Sequence, residues 1–227
     1  MKIIITGTTG MVGEGVLIEC LAHPEVMAVL SVSRKPIGIS HPKLKEYIVT
    51  EFLTLQEDDE ELKGYDACFF CAGVSSFGMK ELAYTHITYD TTINFAKAVN
   101  PNPQMVFIYV SGGGTDISEK GRTMWARVKG KTENDLMKMN FKQVFAFRPV
   151  FMEFTDGQKN IQKYYRYFSW LFPLLKIISS KIINTMSEVG QAMIYAAQNG
   201  YEKSIVGVND ITILANRNRQ QISDKQK

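Results

Sequence analysis

The first thirteen residues constrain the fold of this chain more than any other segment. An apolar run, Lys2–Thr6, is followed at once by three glycines spaced three apart, Gly7, Gly10 and Gly13. Residues 12–21 then show the mixed apolar and polar pattern of a helix. This order predicts a buried strand, a tight turn and the start of a helix, which is the first unit of an α/β fold.

The glycine turn also predicts a site for an anion. Gly7 would let the chain turn sharply, Gly10 would let a pyrophosphate approach the backbone, and Gly13 would let the helix pack closely on the strand. The free N–H groups of a helix N-terminus attract the same negative charge. We therefore expect a dinucleotide here, with an ordinary strand-to-helix loop as the alternative. The expected contacts are Gly7, Thr8, Thr9, Gly10, Met11, Val12 and Gly13.

Composition limits the classes of protein that the chain can belong to. Its 227 residues suit one α/β domain with a full core, and 45% hydrophobic with 22% charged residues is typical of a globular protein. The formal charge of +3 is too small and too dispersed to indicate a nucleic-acid partner. The chain enters a strand at once, without the pattern of a secretory signal peptide, so we expect a cytoplasmic protein.

Cysteine and histidine give no sign of redox or metal chemistry. All three cysteines lie in apolar segments, where a reduced thiol packs like a small hydrophobic side chain. The pair Cys68 and Cys71 has C-x-x-C spacing, but a strand lacks the helix N-terminus that would activate a thiol. The histidines are scattered, with no second ligand three or four residues away, so we expect no metal site.

Strand-like and helix-like segments alternate along the first 150 residues. Continuous apolar strands between helices predict a doubly wound parallel sheet of the Rossmann type, with its ligand crevice at the carboxyl ends of the strands. We expect one domain: a core over 1–150, a small cap or substrate region over 151–215, and a polar tail over 216–227. Expected strands are 2–6, 26–33, 46–50, 65–71, 104–110 and 143–147; expected helices are 12–21, 83–99, 123–139 and 187–198, with a helical character at 56–62.

An aromatic and apolar run spans residues 164–178 in the expected cap. Arg166, Pro173 and Lys176 interrupt it before ~20 apolar residues accumulate, so it does not predict an integral membrane segment. A buried helix, a lid or the face of a homodimer fits the run better, and contact with a membrane surface is the lesser alternative.

The end of the second strand predicts which dinucleotide binds. Folds of this type that select NAD place an acid there, which binds the ribose 2′-hydroxyl and would repel a 2′-phosphate. This strand ends instead in Arg34 and Lys35. A guanidinium can form paired hydrogen bonds with a phosphate, so we expect NADP(H) rather than NAD(H). Two solvated surface charges are the alternative, and Glu51 after the third strand is a further candidate contact, to the adenine.

Several motifs in order resemble the short-chain dehydrogenase/reductase superfamily, in its extended or atypical branch of NAD-dependent epimerase/dehydratase-like proteins. They are the glycine turn, Cys71-Ala72-Gly73, a strand ending in Ser111, Lys129 after an aromatic residue, and Phe147-Arg148-Pro149. The resemblance covers about the first 150 residues. It implies that Ser111 orients the substrate oxygen and that Lys129 assists catalysis and holds the nicotinamide ribose. It also implies cofactor contacts at Cys71, Ala72, Gly73, Lys129 and Pro149.

The chain departs from this resemblance at its catalytic tyrosine. Trp125 occupies that position of the Tyr-x-x-x-Lys motif, and an indole N–H cannot exchange a proton with substrate in the useful pH range. Positions 122, 125 and 129 share one helix face, so we expect Trp125 beside two cations at the rim of the crevice.

Three functions fit this substitution. The chain could be an NADP(H)-dependent oxidoreductase that reduces a small carbonyl compound, with its proton donor relocated to Tyr84, Tyr89 or Thr115. It could be a non-catalytic NADP(H) sensor, or an interaction protein whose nucleotide is structural. We expect the oxidoreductase-like protein, with the sensor as the main alternative.

Overall fold

The computed structural model describes residues 1–155, 157–160 and 183–225. A seven-stranded sheet, with every neighbouring pair parallel, runs through its centre in the order β3-β2-β1-β4-β5-β6-β9. Two further short strands, β7 and β8, pair with each other outside it. The strands are β1 Lys2–Thr6, β2 Ala28–Ser33, β3 Leu44–Ile48, β4 Ala67–Phe70, β5 Val106–Val110, β6 Gln143–Arg148, β7 Phe151–Glu153, β8 Ile183–Thr185 and β9 Ile205–Gly207.

Helices join these strands and cover both faces of the sheet. Between β4 and β5 the chain makes one helical stretch with a π-helical turn at His86–Asp90 in its middle. The helices are α1 Met11–Ala22, α2 Glu81–Thr85, α3 Thr91–Ala98, α4 Met124–Leu136, α5 Met186–Asn199 and α6 Val208–Lys225. Single turns of 3-10 helix lie at Phe52–Thr54 and Glu60–Leu62.

The alternation of side chains along the strands produces two cores. Ile3 and Ile5 of β1 point into a cluster with α1, α5 and α6, while Ile4 between them points into a cluster with α3 and the start of β6. Because both faces are buried, the central strands are continuously apolar, as the sequence indicated. The predicted doubly wound parallel sheet is confirmed.

The strand order places the ligand crevice. The chain runs outward through β1, β2 and β3 on one side, and through β4, β5 and β6 on the other. The direction of the connections therefore reverses between β1 and β4, where two adjacent strands send their carboxyl ends to opposite sides. A crevice opens at this point, directly above the glycine turn.

Two expectations for individual segments need correction. Residues 56–62 form only the short 3-10 turn Glu60–Leu62, not a helix. The polar tail expected at 216–227 is the second half of α6, which continues to Lys225. Its sequence is polar because most of it faces solvent, yet Asn218 is buried and its Nδ2 lies 3.2 Å from Nε2 of His23.

The region 151–215 contributes to the main body of the fold. β9 joins the sheet beside β6, and α5 packs on α1 and β5. Val189 and Met193 of α5 are fully buried in the same cluster as Ile3. The aromatic run 164–178 of the expected cap lies outside the described residues. Of the helices that are described, none is long and apolar enough to cross a membrane.

Candidate functional site

The glycine turn has the geometry that a pyrophosphate site requires. Gly7 has φ +71°, and a Cβ there would lie 2.7 Å from the backbone nitrogen of Ala72. A Cβ on Gly13 would lie 2.2 Å from the carbonyl oxygen of Gly7, so these two glycines allow backbone segments to touch. Gly10 differs, because its Cβ would meet only the Gly7 oxygen, at 3.3 Å, and would otherwise project into open space.

Gly10 is also the N-cap of α1 and supplies no side-chain hydrogen bond to the first turn. The N–H groups of that turn therefore lack a side-chain cap, at the positive end of the helix dipole. They face a cavity of about 440 Å³. Its lining is Gly7, Thr9, Gly10, Met11, Val12, Ser33, Arg34, Glu51, Phe52, Leu53, Phe70, Cys71, Ala72, Gly73, Val74, His86, Ile87 and Thr91.

Arg34 lies at the β2 end of this cavity. Its side chain is exposed, and of the residues that the structure describes none forms an ion pair with it. Ser33 donates a hydrogen bond from its hydroxyl to the Lys35 carbonyl at 2.7 Å, which folds the chain back after the strand. Arg34 consequently lines the cavity and Lys35 does not. Glu51 also lines it and accepts a hydrogen bond from the Leu53 N–H at 3.2 Å.

The segment after β4 forms the opposite wall. The Thr6 hydroxyl accepts hydrogen bonds from the N–H groups of Cys71 and Ala72, both at 3.1 Å, and so holds this segment against the glycine turn. Cys71, Ala72 and Gly73 all line the cavity. Burial raises the pKa of the Cys71 thiol to about 12, so it remains a neutral wall group rather than a nucleophile.

Three predicted nucleotide contacts, Thr8, Pro149 and Gly13, do not line this cavity. Thr8 is fully buried, with its hydroxyl 2.6 Å from that of Ser31. The Pro149 carbonyl accepts a hydrogen bond from the Gly113 N–H at 2.8 Å, and Pro149 does not line the cavity. Gly13 lies beneath the turn, where it permits the close approach of α1 to β1 rather than contact with a ligand.

Ser111 and Lys129 come together at the end of β5, as the resemblance implied. The Lys129 ammonium donates a hydrogen bond to the Ser111 carbonyl, while the Ser111 hydroxyl donates to the Phe147 carbonyl at 3.3 Å. Ser111 is 1% exposed. Burial lowers the pKa of Lys129 to about 8, and the nearby Glu133 carboxylate acts in the opposite direction. Neither residue lines the cavity of the glycine turn.

A buried ion pair lies behind Lys129. The Glu133 side chain is fully buried, and it accepts hydrogen bonds from Nε of Arg148, at 3.0 Å, and from the Arg148 NH2 group. This pair joins α4 to the end of β6. It fixes the part of α4 that carries Lys129 relative to the sheet.

Trp125 is half-buried one turn before Lys129 on α4. A Cβ on Gly114 would lie 3.3 Å from the indole ring, so the indole packs against the glycine-rich loop after β5. Arg122, expected beside it, is exposed before the helix begins. Of the two cations expected beside Trp125, Lys129 lies on α4 and Arg122 does not.

The hydroxyl groups considered as substitute proton donors are either buried or hydrogen-bonded to other groups. Tyr84 is 1% exposed, and burial raises its pKa. Tyr89 donates to the Asp135 carboxylate at 2.7 Å, and Thr115 donates to the Gly112 carbonyl at 2.8 Å. None of the three lines the cavity.

Part of the cavity lining could not be predicted from the sequence pattern. Phe52 and Leu53 belong to a segment held by Asn94, whose side-chain amide donates to the Phe52 carbonyl at 2.9 Å. His86 and Thr91 enter the cavity at the π-helical turn, where the Thr91 hydroxyl donates to the His86 carbonyl at 3.2 Å. Turns of this kind often occur at functional sites, but their position depends on packing that the sequence pattern does not reveal.

Comparison with known proteins gives relatives without an assigned activity. No family model matches the chain. "Protein fmp52-1, mitochondrial" of Aspergillus terreus is 26% identical over 65% of each chain, so the alignment spans just under two thirds of that relative. "Protein FMP52, mitochondrial" of Candida albicans is also 26% identical, over 95% of this chain and 99% of its own.

Solved structures of similar fold are enzymes with a nicotinamide cofactor. The UDP-glucuronic acid 4-epimerase from Bacillus cereus, in complex with UDP-glucuronic acid and NAD, has a TM-score of 0.65 and 13% identity over 92% of this chain and 77% of its own. MoeE5, with UDP-glucuronic acid and NAD, has a TM-score of 0.62 and 17% identity over 96% and 82%. At such identities these likenesses show the fold alone, a parallel Rossmann-like sheet of the epimerase type.

The expected cytoplasmic location is wrong by this comparison, because the matched relatives carry the word mitochondrial in their names. The expectation rested on the absence of a secretory signal pattern. That absence says nothing about delivery to an organelle.

Proposed function

We propose that the cavity binds NADP(H) and that the chain is an oxidoreductase-like protein acting on a small carbonyl compound. One observation supports the nucleotide best: the Gly10 turn and Arg34, which has no ion pair with any residue that the structure describes, line the same cavity of about 440 Å³. The first suits a pyrophosphate, and the second suits the additional phosphate that distinguishes NADP(H) from NAD(H).

The residues present fit this cofactor. A Cβ on Gly10 would occupy the space in front of the first turn of α1, which is where a pyrophosphate would receive N–H groups. No acid follows β2, where NAD-selective folds place one, and Arg34 occupies that place. Glu51 lines the cavity farther along, after β3, and offers a carboxylate to an adenine amino group.

The chemistry would occur beyond this cavity, near Ser111 and Lys129. A bound nicotinamide supplies the hydride for a carbonyl carbon, and the carbonyl oxygen then needs a proton and a hydrogen-bond donor. Ser111 could orient that oxygen by exchanging its bond to the Phe147 carbonyl for a bond to substrate. Lys129, with its pKa lowered to about 8, is cationic at neutral pH and would stabilise negative charge on the oxygen.

The alternative, a non-catalytic NADP(H) sensor, has one specific observation in its favour. Trp125 cannot act as the acid, and Tyr84, Tyr89 and Thr115 are buried or hydrogen-bonded elsewhere. A protein that keeps the nucleotide cavity but has no hydroxyl group free to donate a proton to substrate would bind the cofactor without catalysing its oxidation or reduction.

Calorimetric titration tests the nucleotide assignment. Wild-type protein should bind NADPH more tightly than NADH, and Arg34→Ala should reduce the affinity for NADPH alone. The lost phosphate contact is worth about 1.5–3 kcal/mol, which is roughly ten- to a hundredfold in Kd. Lys35→Ala tests whether the neighbouring cation takes part.

Lys142→Ala is the matched control for this titration. Lys142 is an exposed cation directly before β6, at the edge of the sheet opposite the crevice, so its loss should leave both affinities unchanged. Equal affinities of wild-type protein for NADPH and NADH would refute the assignment of Arg34.

Turnover in Trp125→Tyr separates the enzyme from the sensor. In an oxidoreductase that lost only its acid, a phenol beside Lys129 should raise NADPH-dependent carbonyl reduction, by up to ~10²–10⁴-fold. A sensor should show negligible turnover before the substitution. Strong wild-type turnover that survives both Ser111→Ala and Lys129→Met would contradict the roles proposed for those residues.

The relatives' names also lead us to propose a mitochondrial location. Fractionation of cells that express the tagged protein would test it.

A further inference from the structure

Two apolar side chains in the segment between Val74 and His86, which both line the cavity, are almost entirely exposed to solvent. Phe77 is 94% exposed and Leu82 is 84% exposed. Phe77 lies in the turn that closes when the Met79 N–H donates to the Ser76 carbonyl at 3.1 Å. Leu82 lies in the first turn of α2, and Lys80 between them is the N-cap residue of that helix. Burial of these two side chains against an apolar phase would remove their surface from water and would therefore be favourable.

Arg127 joins this corner to a second segment. Its guanidinium donates to the Glu81 carboxylate at 2.7 Å through one nitrogen, and to the Gly121 carbonyl at 2.6 Å through the other. Residues next to Glu81 and next to Gly121 therefore lie on either side of one side chain. We call Phe77, Lys80, Leu82, Lys120 and Arg122 together the basic apolar corner.

The carboxylates near this corner all accept hydrogen bonds from other residues. The three carboxylates in these segments already have donors: Glu81 binds Arg127, and Glu119 accepts from the Asn134 amide at 2.7 Å. Asp116 accepts from the Ser118 hydroxyl at 2.6 Å and from the Gly121 N–H at 2.7 Å.

The cations of the corner have no such partners. Among the residues that the structure describes, no carboxylate forms an ion pair with Lys80, Lys120 or Arg122, and all three are exposed. The ammonium and guanidinium groups are therefore free to meet an external anion, beside side chains that favour an apolar environment.

We propose that the basic apolar corner binds the surface of an anionic lipid membrane. Phe77 and Leu82 would enter the boundary between headgroups and acyl chains, and the three cations would meet the lipid phosphates. The two exposed apolar side chains suit the acyl chains of such a membrane, and the exposed cations suit its anionic headgroups. The contact would anchor the rim of the crevice without a membrane-spanning helix, and it goes beyond the proposed binding of NADP(H).

Sedimentation with vesicles tests the proposal. Wild-type protein should bind vesicles of phosphatidylcholine and phosphatidylserine more tightly than vesicles of phosphatidylcholine alone, and added salt should weaken the binding. The double substitution Phe77→Ser/Leu82→Ser should weaken it by at least about tenfold. Lys80→Glu/Arg122→Glu should remove the preference for the anionic lipid.

Matched controls lie at the other edge of the sheet. Met27, 68% exposed before β2, and Lys142, before β6, should be replaceable by Ser and Glu without effect on vesicle binding. Circular dichroism confirms that each variant is folded. Absence of vesicle binding, or binding that the corner substitutions leave unchanged, overturns the proposal. A dimer that Phe77→Ser/Leu82→Ser dissociates, without vesicle binding, would assign the corner to a second copy of the chain instead.

Discussion

Adding one methyl group to each of two glycines in the first turn should separate folding from nucleotide binding. Gly10 and Gly13 lie three residues apart in the same turn, yet the structure gives their Cβ positions different surroundings. In Gly13→Ala the new carbon would lie 2.2 Å from the Gly7 oxygen and 2.4 Å from the Gly7 carbonyl carbon. In Gly10→Ala it would meet only that oxygen, at 3.3 Å.

The magnitudes follow from these distances. An approach of 2.2 Å forces α1 to move about 1 Å from β1, and overpacking of this kind costs about 1–3 kcal/mol or more. In a chain of this length that lowers Tm by roughly 2–4 °C per kcal/mol, hence by up to about 12 °C. Gly10 has φ −111°, which alanine adopts without strain, so Gly10→Ala should change stability by less than about 1 kcal/mol.

Scanning calorimetry and NADPH titration together complete the test. Gly10→Ala should keep the wild-type Tm and weaken NADPH binding by at least about tenfold, because the methyl group takes the place of the pyrophosphate. Gly13→Ala should lower Tm even without nucleotide. If Gly10→Ala binds NADPH normally, the turn is not the phosphate site; if Gly13→Ala keeps the wild-type Tm, the argument from close packing fails.

Two further predictions concern stability. Arg148→Met should lower the free energy of unfolding in urea by about 3–5 kcal/mol, because it leaves the buried Glu133 carboxylate unpaired. The double variant Glu133→Met/Arg148→Met should recover most of this loss. Lys45→Met, which removes one partner of an exposed ion pair, is the control and should cost under about 1 kcal/mol. Burial lowers the pKa of His23, so the unfolded chain binds the proton more readily and stability should fall as the pH drops below about 6.5. His23→Gln should reduce the dependence of Tm on pH between about pH 7 and 5.5. An unchanged dependence would exclude His23 as the cause.

The fold was predictable because its signals are local and repeated. β1 and the glycine turn carry their own strand, turn and helix patterns, and the continuous apolar strands indicated a sheet buried on both faces. The same reasoning failed at 56–62, where acidic residues suggested a helix but only Glu60–Leu62 turns. It failed again after Asn216, where the polar sequence suggested a frayed tail. The segment is the second half of α6, and its buried Asn218 contacts His23.

The site was predictable where a residue's role depends on its own backbone. Gly10 and Arg34 were found from their position after a strand, and both line the cavity. Phe52 and His86 were not, because Asn94 and a π-helical turn bring them to the cavity from distant positions in the chain. The environment of Ser111 was also not predictable. Its residue type and position suggested a catalytic hydroxyl, but its hydrogen bond goes to the Phe147 carbonyl on the neighbouring strand β6.

The state of Lys129 bears on which side chain at position 125 could take part in proton transfer. With a phenol at position 125, a nearby ammonium would lower the pKa of that phenol. The indole of Trp125 has an N–H that does not titrate in the useful pH range, so the ammonium cannot assist proton transfer there. In the structure the ammonium binds the Ser111 carbonyl, and its own pKa is lowered to about 8 because burial outweighs the Glu133 carboxylate.

A lysine in this state is still useful as a cation that binds a ligand oxygen at neutral pH. Its charge should therefore depend on Glu133, and removing that carboxylate should lower the pKa of Lys129 further and weaken any such binding at neutral pH. The buried pair of Glu133 and Arg148 consequently has two effects that one substitution cannot separate, since it joins α4 to β6 and also supports the charge of Lys129.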